Sequence, residues 1–167
     1  MLEIERKFLV RDAAWGTPRS SRKILQGYVF IGAERNLRVR YTNDSYLLTL
    51  KVRSEGISRH EIEFPIDAEK GRFILDKLCI NPVIEKTRHV VEYEGKTWEV
   101  DEFEGANSGL VVAEIELSAV DENFLHPSWL GPEVTDDDRF FNACLSERPF
   151  ESWGMTYREL LSEKSAL

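Results

Sequence analysis

Glu3-Ile4-Glu5-Arg6-Lys7-Phe8 opens the chain and decides how the rest is read. Charged and apolar residues alternate there. That is the period-two signature of a strand with one polar and one apolar face. The alternation returns in Leu37-Arg38-Val39-Arg40-Tyr41, Leu48-Thr49-Leu50-Lys51-Val52 and Glu61-Ile62-Glu63-Phe64. It returns again in Trp98-Glu99-Val100-Asp101 and Ala113-Glu114-Ile115-Glu116-Leu117. Gln26 to Ile31 and Ile84 to Val91 read as two more strands. Hairpin turns are expected at Asn43-Asp44, Glu55-Gly56 and Glu94-Gly95-Lys96.

The polar positions are almost all formally charged, and like charges sit two residues apart. Glu3/Glu5, Arg38/Arg40, Glu61/Glu63, Lys86/Arg88, Glu99/Asp101 and Glu114/Glu116 all follow this rule. Such neighbours lie roughly 7 Å apart on one face and repel unless opposite charge stands between them. A solvated face would mix in Ser, Thr and Gln. Strands of carboxylates kept apart from strands of cations instead suggest a mainly β (α+β) fold: a closed or nearly closed eight-stranded antiparallel barrel. Its charged face points inward, and helices cover its apolar exterior. Eight strands leave room for one small ligand.

Helices are few. Asp67 is a plausible N-cap for a helix to about Leu78, ended by Asn81-Pro82. Thr135 is expected to cap a second, with Asp136 to Asp138 in its first turn. A helical turn is expected from Val120 to Phe124. A third helix is expected from Met155 to Glu163, within the tail 148–167. Ala14 to Lys23 reads as a loop. Trp15, Trp129 and Trp153 are assigned to packing, and no chemistry is assigned to His60, His89 or His126.

The chain has 167 residues, 42% hydrophobic and 31% charged, enough for one core and one domain over 1–167. Lys+Arg 22 against Asp+Glu 30 leaves a net charge of −8. An acidic surface disfavours nucleic acid and anionic membranes. No apolar run approaches a membrane span. Two cysteines, Cys79 and Cys144, are too few for a disulfide framework. A cytoplasmic location follows as the expectation.

Cations facing inward suit a polyanion, and Arg pairs bind phosphate bidentately. Hard carboxylate oxygens with no Cys/His cluster select Mg²⁺ or Mn²⁺ over Zn²⁺. Together they indicate a metal-assisted site for a linear polyphosphate, acting by positioning and charge neutralisation.

Glu-x-Glu-x-Lys at residues 3–7 resembles the signature of the CYTH domain, the triphosphate tunnel metalloenzymes. The likeness continues through Gln26-Gly27-Tyr28, Arg38-x-Arg40, Thr49-x-Lys51 and Ser58-Arg59-x-Glu61-x-Glu63. It goes on in Glu85-Lys86-Thr87-Arg88, Asp101, Glu114-x-Glu116 and Arg139-x-x-Asn142, covering residues 1 to about 147. The resemblance implies a barrel tunnel and metal-dependent hydrolysis or cyclisation of triphosphates. By that match Glu3, Glu5, Asp101, Glu114 and Glu116 hold metal. Lys7, Arg38, Arg40, Lys51, Lys86, Arg88 and Arg139 bind phosphates. Glu61, Glu63 and Arg59 rank second. Tyr28 and Lys86 are the candidate catalytic residues. The short bacterial members it most resembles are associated with inorganic triphosphatase activity. Adenylate cyclase, thiamine or nucleoside triphosphatase, and a non-catalytic polyphosphate-binding protein are the alternatives. Ala143 and Asp138 stand where some relatives carry cations. The partner is a small polyphosphate, and a homodimer is compatible with the chain.

Overall fold

The computed structural model describes residues 2–53, 58–80 and 82–166, and of Leu2, Glu3, Arg53, Ser58 and Arg59 it describes the backbone alone. The strands are β1 (Leu2–Val10), β2 (Ser20–Ile31), β3 (Arg35–Thr42), β4 (Ser45–Arg53) and β5 (Ser58–Ile66), followed by helix α1 (Ala68–Lys77). Then come β6 (Ile84–Tyr93), β7 (Lys96–Phe103), β8 (Val111–Glu116) and β9 (Leu130–Glu133). Helices α2 (Asn142–Glu147) and α3 (Tyr157–Ser165) close the chain.

All pairings are antiparallel, in the order β5-β4-β3-β2-β6-β7-β8-β1-β9. The first eight strands of that order form the barrel expected from the alternation. β1 also meets β5 over three positions, Leu2↔His60, Glu3↔Arg59 and Ile4↔Ser58. The barrel is therefore nearly closed, with a short seam. The ninth strand, β9, was not legible in sequence: Leu130-Gly131-Pro132-Glu133 has no alternation and contains Pro. It survives because it lies at the sheet's end, beside β1, where Pro is tolerated.

Asn43 and Asp44 both take positive φ, as do Glu94 and Gly95, giving the tight hairpins expected there. The Glu55-Gly56 turn lies outside the described residues. Asp67 caps α1 by accepting from the Lys70 amide at 2.9 Å. Three expectations change. β2 begins at Ser20, so the loop is shorter than expected. Residues 120–124 form an isolated turn and no helix. Thr135 caps no helix; its hydroxyl accepts from the Lys7 amide at 3.0 Å, and Asp137 caps a short 3-10 turn before α2 instead. A strand amide left without a ladder partner competes successfully for that hydroxyl.

The apolar side chains pack in three groups, two outside the sheet and one closing an end of the barrel. Phe8, Trp98, Ile115 and Trp129 form one. Val39 and Tyr46 under Leu75 of α1 form another. In the third, Leu9, Ile84, Phe103 and Val112 pack with Phe140, Leu145, Phe150 and Leu160. Those four strand residues share parity with Lys7, Lys86, Asp101 and Glu114. The inward row thus turns from charged to apolar at one end, where α2, α3 and their flanking turns stopper it. The Tyr157 hydroxyl fixes α3 there, accepting from the Val10 amide at 2.8 Å and lying 2.7 Å from the Val111 carbonyl. Among the described residues no helix is long and apolar enough to cross a membrane.

Candidate active site

Alternation chooses the face, and register sets the level. Lys7 lies opposite Glu114 and Glu5 opposite Glu116 across β1–β8. Arg88 lies opposite Asp101 across β6–β7, and Lys51 opposite Glu61 across β4–β5. Lys7, Arg88 and Lys51 thus each meet a carboxylate of the neighbouring strand, while Glu5 lies opposite another acid.

Two networks result. In the first, the Lys7 ammonium binds Glu114 and lies 2.8 Å from Glu5. Arg88 spans Asp101, Glu114 and Glu99, its Nη2 2.7 Å from Glu114. Lys86 binds Asp101 and lies 3.3 Å from the Asn142 side-chain oxygen. In the second, Glu61 receives Arg38 at 3.0 Å and Lys51 at 2.8 Å. Glu63 receives Arg40 at 2.9 Å and the Thr49 hydroxyl at 3.1 Å. Gln26, fully buried, takes a long bond of 3.4 Å from Arg38 and donates to the Tyr28 hydroxyl at 3.0 Å.

Lys7, Arg38, Lys86, Arg88, Asp101 and Glu114 are all buried. Burial pushes the Glu114 carboxyl up, but Lys7, Arg88 and Lys86 more than reverse this and hold it well below its ordinary range. Asp101 is likewise lowered: burial is outweighed by Arg88 and Lys86. Lys7 is raised, since Glu114 and Glu5 overcome its burial. Lys86 goes the other way. Burial lowers it, and Arg88 offsets enough of the Asp101 attraction to leave its ammonium easier to deprotonate. Arg40 is lowered by burial and by Arg38 beside it.

Two cavities, about 550 and 580 Å³, occupy the barrel and share Glu5, Arg38, Lys51 and Asn142 on their walls. The first is also walled by Arg40, Lys86, Arg88, Glu99, Glu114 and Glu116, and the second by Lys7 and Tyr28. The buried Nε groups of Arg38 and Arg40 have no hydrogen-bond partner. Arg38 and Arg40 thus bring two guanidinium groups, each with a buried donor unmatched among the described residues, to one cavity wall, where an anion would match their charge.

Most of the sequence-derived candidates converge here, although Asp101, paired with Lys86 and Arg88, walls neither cavity itself. Arg139 does not. It pairs with Asp137 at 2.8 Å and with Glu163 at 3.4 Å, lies against Phe140 and Trp153, and walls neither cavity. Glu116 sits at the first cavity's exposed edge. The side chains of Glu3 and Arg59 lie outside the described residues. Glu61 and Glu63 serve as counter-ions of Arg38, Lys51 and Arg40. Sequence reasoning assigned no role to Gln26 or Asn142. Gln26 could have been found, since it shares strand parity with Tyr28. Asn142 begins a short helix and reaches the bore only through the tertiary fold. Glu5, Glu114, Asp101 and Glu116 supply hard oxygen donors. Among the described residues no group of three carboxylate, His or Cys ligands stands preassembled, because Lys and Arg already occupy these oxygens.

A sequence model of the CYTH domain matches residues 1–141. An inorganic triphosphatase of Acetivibrio thermocellus is 45% identical over 151 residues, 90% of this chain and 97% of the relative. An inorganic triphosphatase of Nitrosomonas europaea is 35% identical over 150 residues, 87% of this chain and 97% of the relative. The crystal structure of the inorganic triphosphatase NE1496 superposes with a TM-score of 0.66 at 32% identity, covering 86% of this chain and 93% of that one. A Hippeastrum protein described as a putative adenylyl cyclase with dominant triphosphatase activity shares the fold at 20% identity, with a TM-score of 0.54.

Proposed function

The chain belongs to the CYTH domain family, and from that premise we propose that it hydrolyses inorganic triphosphate to diphosphate and phosphate inside the barrel. The observation that carries this reading is the gathering of five cations, Arg38, Arg40, Lys51, Lys86 and Arg88, on the wall of one cavity. A linear chain of phosphates supplies acceptors to all of them at once. A binding protein would need the cations alone, whereas this bore retains an equal investment in carboxylates. The two more similar relatives, both inorganic triphosphatases, favour this substrate over ATP cyclisation.

Arg38, Arg40, Lys51, Arg88 and Lys7 seat the phosphates and align the terminal P–O–P linkage. Seating them draws the cations off Glu5, Asp101 and Glu114, with Glu116 opposite Glu5. With Glu3, those carboxylates are the residues that would hold Mg²⁺ or Mn²⁺, and their donor chemistry fits either ion. A bound divalent ion would supply charge neutralisation on the phosphate oxygens. The Tyr28 hydroxyl, held by Gln26, orients the attacking water. Lys86 acts in its neutral amine form, which burial and Arg88 make easier to reach, and accepts the water's proton as the new P–O bond forms and the diphosphate oxygen leaves. Arg139 lies apart and acts on the substrate only through the segment it braces. The reaction is expected in the cytoplasm, since two cysteines are too few for a disulfide framework.

Phosphate release from triphosphate in the presence of Mg²⁺ or Mn²⁺ tests this. Robust turnover that vanishes with EDTA and in Glu5→Gln is expected. Turnover unaffected by either would remove the site from the reaction.

A further inference from the structure

Helix α1 has two unlike faces. Gly71 and Leu75 are buried against β3 and β4, and a Cβ on Gly71 would run into the Tyr46 ring. The helix therefore sits flush and cannot roll, which fixes its opposite face as well. That face carries Glu69, Arg72, Phe73, Asp76 and Lys77 around a shallow hollow of about 500 Å³. Phe73 is 57% exposed at its centre. Among the described residues Glu69, Arg72, Asp76 and Lys77 form no ion pair, in contrast to the networks of the bore.

The order of charges along this face complements itself. In an antiparallel pair of such helices related by a two-fold axis at Phe73, the phenyl rings meet on the axis. Glu69 and Lys77 each stand four residues from Phe73, on opposite sides, so each lies level with the other in the second copy. Asp76 faces the stretch from Lys70 to Arg72, within about 3 Å along the axis. A ten-residue helix is about 15 Å long, too little for the roughly 800 Å² per partner of a stable complex. The chain enters α1 directly from β5, whose outer face leaves Ile62 and Phe64 51% and 50% exposed beside Leu50 and Leu48 of β4. This apolar strip extends the surface beyond the helix.

We infer that α1 and the adjoining outer face of β5 pair with a second copy of this chain in an isologous dimer centred on Phe73. The inference is independent of the bore's chemistry. Sedimentation velocity on the full chain, from low to high micromolar concentration, tests it. The unaltered chain is expected to sediment as a dimer. Lys77→Glu sets two carboxylates level and is expected to shift the population to monomer. Adding Glu69→Lys to it re-pairs the charges and is expected to restore the dimer. Phe73→Ala is expected to weaken association by roughly tenfold or more. Because none of these residues walls the bore, each variant keeps its phosphate-release activity, which certifies its fold. A monomer at every concentration overturns the inference. So does a dimer indifferent to Lys77→Glu, or a charge-swapped variant that stays monomeric.

Discussion

Arg88 grips both oxygens of Asp101, Nε to Oδ1 and Nη2 to Oδ2, each at 2.6 Å. Asp101 is 1% exposed. The pair is thus a desolvated, two-pronged ion pair beside the first cavity, which Arg88 walls and Asp101 does not. Removing one member strands the other's charge away from water, which costs far more than the pair's net worth. Asp101→Asn is therefore expected to lower unfolding free energy by about 3–5 kcal/mol and to abolish phosphate release. Urea unfolding and an activity assay measure both. A variant that loses activity with unchanged stability would mean that Asp101 serves the ligand alone.

The bore is neutralised by its own side chains, so its two ligands should help each other bind. A polyanion takes the cations, which frees carboxylates for a metal, and a metal does the converse. Triphosphate and Mg²⁺ together are expected to raise the melting temperature by more than the sum of their separate effects, in a variant too slow to turn over, such as Glu5→Gln, or with a non-hydrolysable triphosphate analogue. Saturating ligand at about 100 times its dissociation constant contributes about 2.7 kcal/mol. Additive shifts in a thermal melt would show that the cations and carboxylates act separately.

Burial and Arg88 make the Lys86 ammonium easier to deprotonate than an ordinary lysine. Lys86→Arg keeps the positive charge and removes that readiness. Turnover is expected to fall by about 10²–10⁴, with a much smaller change in KM, and the pH dependence of kcat should lose the limb that belongs to the lysine. Steady-state kinetics across pH resolve this. A change confined to KM would reduce Lys86 to a phosphate seat.

Acid should loosen the C-terminal segment first. Burial pushes the Asp137 carboxyl up, but hydrogen bonds from Arg139 and Lys164 overcome this and hold it at about 2. The unfolded chain's aspartate takes up its proton at about 3.9. Protonation thus favours the unfolded form. The stability from these contacts is present in full above about pH 4 and drains away as pH falls through the folded value. Asp137→Asn is expected to melt lower than the unaltered chain at neutral pH, with the gap closing between about pH 4 and pH 2. A gap that persists at the acid end would refute the assignment.

Tyr157 offers a sharper probe of the same segment. Its hydroxyl serves the Val10 amide and lies within reach of two carbonyls. Tyr157→Phe leaves those buried groups without that partner and should cost about 1–3 kcal/mol, read by urea unfolding. Activity at saturating substrate should change little.

What the sequence disclosed follows from periodicity. Glu5, Lys7, Arg38, Arg40, Lys51, Lys86, Arg88, Asp101 and Glu114 share one parity on long alternating strands, so their convergence could be read before any coordinates. The partner of each could not. That Lys7 meets Glu114, and Lys51 meets Glu61, depends on register, which many strand residues set jointly. β9 was hidden because a four-residue end strand with Pro carries no alternation. Thr135 misled because its hydroxyl serves a strand amide distant in sequence. Arg139 matched a motif, yet Asp137, two residues away, holds it at 2.8 Å and keeps it out of the bore.

Residues beyond the reach of the family's sequence pattern, Leu145, Phe150 and Leu160, press against Leu9, Ile84 and Phe103 at the bottom of the barrel. The ionic chamber thus has a waterproof floor, and its last boards come from the tail. A version trimmed at residue 141 to fit the pattern would keep every acid and base of the reaction centre but expose that underside to solvent. Evolution is free to rewrite the ending's letters, provided the oil stays beneath the salt.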